Sequence, residues 1–389
     1  MARRPRLLLV AYACDPEEGS ESGAGWSILE AAANICQRIT VLTRTGTAPL
    51  LEERASRLPC EVEIVRVSTP RLTSKGNYIR YIGWLSAVHR LIREVNFRVD
   101  IFHHATFASD WLPIPLPRGY SARYWVVWGP VGGSTYLDTS ASTFLSASAA
   151  LKSHVRRVCT SFVRCLTRIH WAHKVDVFMA MNSDSLEAAP AGARSMVHPN
   201  FAMDYAAVPT KESQSSGGPK RLIYVGRVLE WKGLGLLIRA LAQIPGHTLV
   251  VVGDGPDRGR FERLATRLGV ADRISFRGRV ERNAVLDELR QSDIMAFPSL
   301  HDSGGWVAAE AAAVGLPVLC LDQGGVAALA GPNAVVVPLR PARTLVSRLG
   351  VAAVNIEPSD FGPNRRWTIE RLTDALASAY TPEGAPRRF

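Results

Sequence analysis

Short apolar runs alternate with stretches of helical period along most of the 389-residue chain. Runs at 6–13, 38–43, 62–67, 101–104, 124–128 and 177–181 read as buried strands, and the stretches between them as crossover helices. At 209–220 the pattern stops in a polar, Gly/Ser-containing segment, the composition of a linker. A second series of runs begins at 221 and continues at 248–252, 274–276, 294–297, 317–321 and 334–337. The pattern predicts an α/β protein of two doubly wound, Rossmann-like domains, 1–208 and 221–364. Ligands of such sheets bind at the carboxyl ends of the strands, so the two domains are expected to face each other across a cleft. Ile369, Leu372, Leu376 and Tyr380 stand at helical spacing and predict a terminal helix over 365–380, packed back towards the N-terminal domain. The Pro/Gly-containing tail, 381–389, is expected to be flexible.

Apolar residues make up 47% and charged residues 21% of the chain, which excludes a disordered, collagen-like or coiled-coil protein. No apolar run approaches the roughly 18 residues that span a bilayer. The start of the chain, Met1-Ala-Arg-Arg-Pro-Arg followed by Leu7 to Cys14, imitates a signal peptide. Its apolar run is only about eight residues and leads into Asp15, Glu17 and Glu18, so it reads as a first buried strand. Six cysteines stand at 14, 36, 60, 159, 165 and 320 with no Cys-x-x-Cys and no zinc spacing, the usage of reduced, buried thiols in a cytoplasmic protein.

Charge changes this picture locally. The chain carries 46 Lys+Arg against 35 Asp+Glu, a net +11. Residues 71–175 hold 14 basic and 4 acidic residues (14 − 4 = +10), which leaves the rest of the chain near neutral (11 − 10 = +1). Within 71–98 and 152–174 the cations interleave with Tyr78, Tyr81, Trp84, Phe162 and Trp171. Two readings stay open: solvated helix faces, or contact with an anionic membrane leaflet or a lipid-phosphate acceptor. No recognised nucleic-acid motif accompanies the charge, which argues against a nucleic-acid partner.

Candidate chemistry concentrates in the second series of strands. Gly226-Arg227…Lys232-Gly233 follows a strand, with two cations near a helix mouth where one diphosphate could reach both. Gly253-Asp254-Gly255-Pro256 ends the next strand in a tight turn that lets backbone approach a ligand. Asp302 lies in a loop after the strand at 294–297. Gly304 and Gly305 follow it, and Trp306 opens an apolar helix holding one carboxylate, Glu310. An unpartnered carboxylate there is costly, and a ligand hydroxyl is a candidate partner. In the first series, Gly19-Ser-Glu-Ser-Gly23-Ala-Gly25-Trp26 opens a helix but lacks the third glycine of the dinucleotide fingerprint. His103 and His104 end a strand on its cleft side; alternation sends them to opposite faces, and His104 is the candidate pocket residue.

The elements Gly226-Arg227…Lys232-Gly233, Val252-Gly253-Asp254-Gly255-Pro256 and Pro298…Asp302-x7-Glu310 with Gly315-Leu-Pro-Val occur in order at natural separations. Together they resemble the donor-binding half of the family 4 retaining glycosyltransferases (group 1 glycosyltransferases) of the GT-B fold. The match is specific from about 221 to 337 and looser before it. The resemblance implies that Arg227 and Lys232 hold the donor diphosphate and that Glu310 accepts hydrogen bonds from the ribose hydroxyls. It places Asp302 beside the transferred sugar, with the backbone at Gly304, Gly305 and Trp306 offered to sugar and phosphate. It also puts Gly226, Gly253 and Gly25 around the donor and His104 near the sugar. Asp302 replaces the usual Glu, and Gly304 replaces a usual aromatic residue.

A transferase of this kind would bind a nucleotide sugar (a UDP-sugar ahead of a GDP-sugar) and a glycan, lipid-linked or small-molecule acceptor. It would need no cofactor and no metal, in keeping with the lack of an Asp-x-Asp motif. An epimerase on the same fold and a nucleotide-sugar-binding protein without turnover are the competing classes.

Overall fold

The computed structural model describes residues 3–16, 20–46, 50–69, 77–133, 139–171, 175–206, 208, 210–211 and 218–382. The chain divides into two compact units. One comprises Met1–Ser134, Thr160–Met203 and Trp367–Phe389, and the other Thr135–Cys159 with Asp204–Arg366. The second unit thus takes in a segment, 135–159, from within the range 1–208. The expected linker is described only in part, and most of the expected tail lies outside the described residues.

In the first unit, seven strands form a parallel sheet: β1 (Arg6–Val10), β2 (Arg38–Arg44), β3 (Glu61–Val67), β4 (Ile101–His104), β5 (Trp125–Val131), β6 (Val177–Ala180) and β7 (Arg194–Val197). Their spatial order is β3-β2-β1-β4-β5-β6-β7. The last strand escapes the apolar pattern because Arg194-Ser-Met-Val sits at the sheet edge, half-exposed. Period-2 alternation then divides the sheet's side chains between two cores. Leu8, Val10, Phe102, Val126 and Phe178 face helix α3 (Asn77–Glu94), which contributes Tyr81, Trp84, Leu85, Val88 and Ile92. Leu7, Leu9, Ile101, Val127 and Met179 face helix α1 (Ser20–Ala33) and the last helix of the chain, Ile369–Ala379. Helix α2 (Leu50–Ala55) lies between β2 and β3. Cys14, Cys36 and Cys320 are buried, whereas Cys159 and Cys165 are exposed and Cys60 is half-buried, so the expectation of uniformly buried thiols fails.

In the second unit, β8 (Arg221–Val225), β9 (Thr248–Val252), β10 (Ile274–Gly278), β11 (Ile294–Ala296), β12 (Val318–Leu321) and β13 (Ala334–Val337) form a parallel sheet in the order β10-β9-β8-β11-β12-β13. Its helices are α5 (Leu234–Leu241), α6 (Arg258–Arg267), α7 (Arg282–Arg290), α8 (Trp306–Val314), α9 (Val326–Ala330) and α10 (Leu345–Asn355). The remaining long helix, α4 (Ala147–Trp171), precedes β6 in the chain, and the terminal helix Ile369–Ala379 is α11. In this sheet the strand order reverses between β8 and β11. In sheets of this kind ligands bind beyond the carboxyl ends of the strands at such a reversal.

α11 belongs to the first unit and is tied to its sheet by polar contacts as well as apolar ones. The Trp125 indole donates to the Ala379 carbonyl at 2.8 Å. His103 Nε2 lies 2.6 Å from the Gly129 carbonyl, which can only accept, so Nδ1 must accept from the Tyr380 hydroxyl at 2.8 Å. All three groups are buried. Tyr380→Phe strands that ring nitrogen without a donor, and chemical denaturation is expected to show a loss of about 1–3 kcal/mol. An unchanged midpoint would contradict this role for α11.

Candidate active site

The candidate site is built by backbone laid against backbone at the ends of β8, β9 and β11. Beyond β8, Gly226 N donates to the Val252 carbonyl at 2.9 Å and Val228 N to the Asp254 carbonyl at 3.0 Å. The two post-strand loops therefore run side by side. A Cβ at Gly253 would stand 2.0 Å from the Gly226 carbonyl oxygen, and the Gly253 φ of +124° is closed to other residues. A single 3₁₀ turn, Glu230–Lys232, follows and ends at Gly233, whose φ is +83°. A Cβ there would stand 2.0 Å from the Pro298 carbonyl, and Leu300 N donates to the Trp231 carbonyl at 2.8 Å. The loop after β8 is thereby locked onto the loop after β11.

That lock brings Lys232 and Asp302 into an ion pair, Nζ donating to Oδ2. Their side chains keep 21% and 13% of their exposure, so the pair is largely shielded but reachable. The ammonium also lies 5.5 Å from the centre of the Phe297 ring. Arg227 is exposed at the same turn, and its guanidinium has no partner among the described residues. Gly304 is buried beside Gly325, and Gly325 N holds the Asp302 carbonyl at 2.9 Å. Gly305 is the N-cap of α8 in left-handed conformation, φ +99°, and no side chain caps the helix. Trp306 is its first residue. The start of α8 therefore offers N–H groups and a partial positive charge beside the Lys232–Asp302 pair.

Glu310 lies in the second turn of α8 among buried alanines and Val314. Its partner in the structure is Arg282 of α7, at 3.0 Å, where the sequence suggests a ligand hydroxyl. Burial pushes the Glu310 carboxyl above its ordinary range, and Arg282 pulls it back only in part. No local spacing points to Arg282, which is 28 positions upstream and more than half exposed. The same holds for Glu230. Its carboxylate accepts from Ser146 N–H at 2.7 Å and from the Ser146 hydroxyl at 2.9 Å, and pairs with Arg260.

The structure thus gathers Gly226, Lys232, Gly253, Asp302, Gly304, Gly305 and Trp306 at one sheet edge, with Arg227 at its surface and Glu310 further along α8. Gly25 and His104 belong to the first unit. Gly25 lies inside α1, where a Cβ would stand 2.1 Å from the Ala13 carbonyl, so packing alone requires a glycine. His104 is fully buried on the α3 side, with Nε2 2.9 Å from the Tyr81 hydroxyl. An open pocket position for His104 is therefore corrected to a core one, because β4 is covered on both faces. Burial lowers His103 to about 4, and lowers His104 to about 3 with a smaller contribution from His103.

Residues 210–347 match the family described as glycosyl transferases group 1. The matched span lies within the second unit and takes in Lys232, Asp302 and Glu310. Over 151 residues the chain is 32% identical to D-inositol 3-phosphate glycosyltransferase of Mycolicibacterium smegmatis, covering 36% of this chain and 35% of that one. The alignment thus spans about a third of that relative's length. It is 25% identical over 355 residues to glycogen synthase of Mycobacterium tuberculosis, covering 86% of this chain and 82% of the synthase. Among solved structures, Anabaena HepE in complex with UDP and glucose superposes with a TM-score of 0.53 at 16% identity, over 96% of this chain and 98% of HepE. The fold of both units is that of the GT-B glycosyltransferases.

The two buried histidines make stability depend on pH. Both fold neutral, with values below their ordinary 6.5. Between those limits the unfolded chain binds protons that the folded chain does not, so stability is complete above about pH 6.5 and falls as pH drops towards 4. Each histidine contributes a slope of roughly 1.4 kcal/mol per pH unit in that window. Urea midpoints at pH 7, 6 and 5 should fall steadily, and less steeply in His104→Gln; identical profiles would contradict neutral burial.

Proposed function

We propose that the chain is a metal-independent retaining glycosyltransferase of family 4. It moves a sugar from a nucleotide-diphosphate donor, a UDP-sugar ahead of a GDP-sugar, to an acceptor hydroxyl of a glycan, lipid or small metabolite. The reading rests on one observation: the shielded Lys232–Asp302 pair beside the uncapped start of α8, at the point where the strand order of the second sheet reverses.

In the free protein Asp302 neutralises Lys232. A donor diphosphate competes for that ammonium, and Arg227 and the N–H groups at Gly305 and Trp306 add donors to it. As the sugar–phosphate bond breaks, negative charge grows on the departing diphosphate. Donors already aimed at that charge stabilise the transition state more than the ground state. Asp302, released from Lys232, is placed to accept from a hydroxyl of the transferred sugar. Glu310 accepts from the ribose hydroxyls; its burial makes an uncompensated charge costly and a hydroxyl partner correspondingly valuable. No enzyme carboxylate is assigned as a covalent nucleophile. The bound UDP of HepE supports the choice of base, and the six free cysteines suit a reducing, cytoplasmic setting.

The test is incubation of the purified protein with UDP- and GDP-sugars in EDTA. Each donor is run with no acceptor, D-inositol 3-phosphate, an α-glucan and a crude lipid and saccharide pool, all followed by mass spectrometry. Acceptor-dependent release of nucleotide diphosphate is expected. Lys232→Ala should lower kcat/KM by roughly a hundredfold or more. Glu310→Gln should weaken donor binding roughly tenfold while leaving the unfolding temperature unchanged or higher. Conversion of the sugar with its diphosphate intact would identify an epimerase, and binding without turnover a binding protein.

A further inference from the structure

Helix α4 presents an apolar surface that nothing in the described structure covers. Leu151, Val155, Val158 and Phe162 are 63%, 51%, 56% and 67% exposed. Their spacing of 4, 3 and 4 residues puts them on one stripe about 60° wide at 100° per residue. Most of the helix between 151 and 165 is solvent-exposed, including Lys152, His154, Arg156 and Arg157. On the helical wheel Lys152 and Arg156 flank the stripe on one side and His154 and Arg157 on the other. The whole of Ala147–Trp171 contains Lys152, Arg156, Arg157, Arg164 and Arg168 and no acidic residue. The helix is held at its start by Glu230, which binds the Ser146 N–H and hydroxyl. Towards its end Arg164 pairs with the buried Asp110.

Such a face is not a packing remnant. An ordinary surface helix turns its apolar stripe inward, as α3 does with Tyr81, Trp84, Leu85, Val88 and Ile92. Here the stripe points outward, and cations border both of its edges. A second copy of the chain is a poor occupant, because the helix carries cations on both sides of its stripe and no acidic residue of its own to meet them. An acidic protein would meet the charges without using the stripe. A surface that is apolar within and anionic at its rim meets both, and that is the interface of a bilayer containing acidic lipids. No helix among the described residues is long and apolar enough to cross a membrane.

We propose that α4 lies flat on an anionic lipid surface, with Leu151, Val155, Val158 and Phe162 inserted among the acyl chains and the flanking cations at the headgroups. The stripe from Leu151 to Phe162 runs roughly 16 Å, enough for one interfacial contact. The proposal is independent of the chemistry assigned to Lys232 and Asp302, so it fails or stands separately from glycosyl transfer.

The test is co-sedimentation of the full chain with vesicles of phosphatidylcholine alone, and of phosphatidylcholine mixed with phosphatidylglycerol, at low and at physiological salt. Binding is expected to the mixed vesicles only, weakening with salt. Lys152→Glu should reduce partitioning roughly tenfold or more. Leu151→Ser combined with Phe162→Ser should reduce it at least tenfold, by a route that low salt does not rescue. Both variants alter exposed side chains, and an unchanged unfolding temperature confirms that the fold is retained. Absence of binding to the mixed vesicles at low salt would overturn the proposal, as would equal binding by the variants. A concentration-dependent dimer abolished by the double substitution would assign the stripe to self-association instead.

Discussion

The second unit depends on main chain packed directly against main chain at its sheet edge. Gly253 touches the Gly226 carbonyl, Gly233 touches the Pro298 carbonyl, and Gly324 lies against the Asp302 carbonyl. At each point a Cβ would fall between 2.0 and 2.2 Å from the oxygen, far inside any tolerable contact. Side chains would have to be accommodated by moving the loops apart. With the glycines in place the loops after β8, β9 and β11 form one rigid shelf, and the position of Lys232, Asp302 and the start of α8 follows from it. Rigidity matters because donors that stabilise developing charge must already be aimed before reaction begins.

On that shelf the electrostatics are balanced rather than optimised for stability. A shielded ammonium is matched by one carboxylate, and a carboxylate inside an alanine-rich helix is matched by a guanidinium that is itself more than half exposed. Burial raises the Glu310 carboxyl despite Arg282, so the ionised group costs the folded protein something while no ligand is bound. The α8 start adds uncapped N–H groups to the same corner. Lys232 and Glu310 each have a single charged partner among the described residues, and an anionic, hydroxyl-bearing ligand would add partners to both.

Much of this could be read from the chain. Apolar runs marked the strands of both sheets except β7, whose sequence Arg194-Ser-Met-Val lies half-exposed at an edge and so carries little apolar signal. The glycine turns and the Asp302-x7-Glu310 spacing were visible because they are local. What remained hidden was non-local. Arg282 reaches Glu310 from another helix, and Glu230 reaches Ser146 across 84 positions, separations at which sequence spacing carries no geometric information. His104 misled for a different reason. A histidine at a strand end can face a ligand or a core, and the helix that decides the matter, α3, supplies Tyr81 from 23 positions away. The outward stripe on α4 is also invisible to periodicity, which gives the angle of an apolar face but not whether anything covers it.

On the proposed reading, this shelf binds a nucleotide diphosphate through Lys232 and Arg227 without a metal. Calorimetric titration of UDP into the full chain in EDTA, repeated with Lys232→Ala and at increasing salt, tests it most directly. Saturable one-to-one binding is expected, weakening with salt and dropping by tenfold or more without Lys232, consistent with loss of a charge-assisted hydrogen bond of about 1.5–3 kcal/mol. Absence of binding by UDP and GDP alike, or UDP binding indifferent to Lys232, would contradict it.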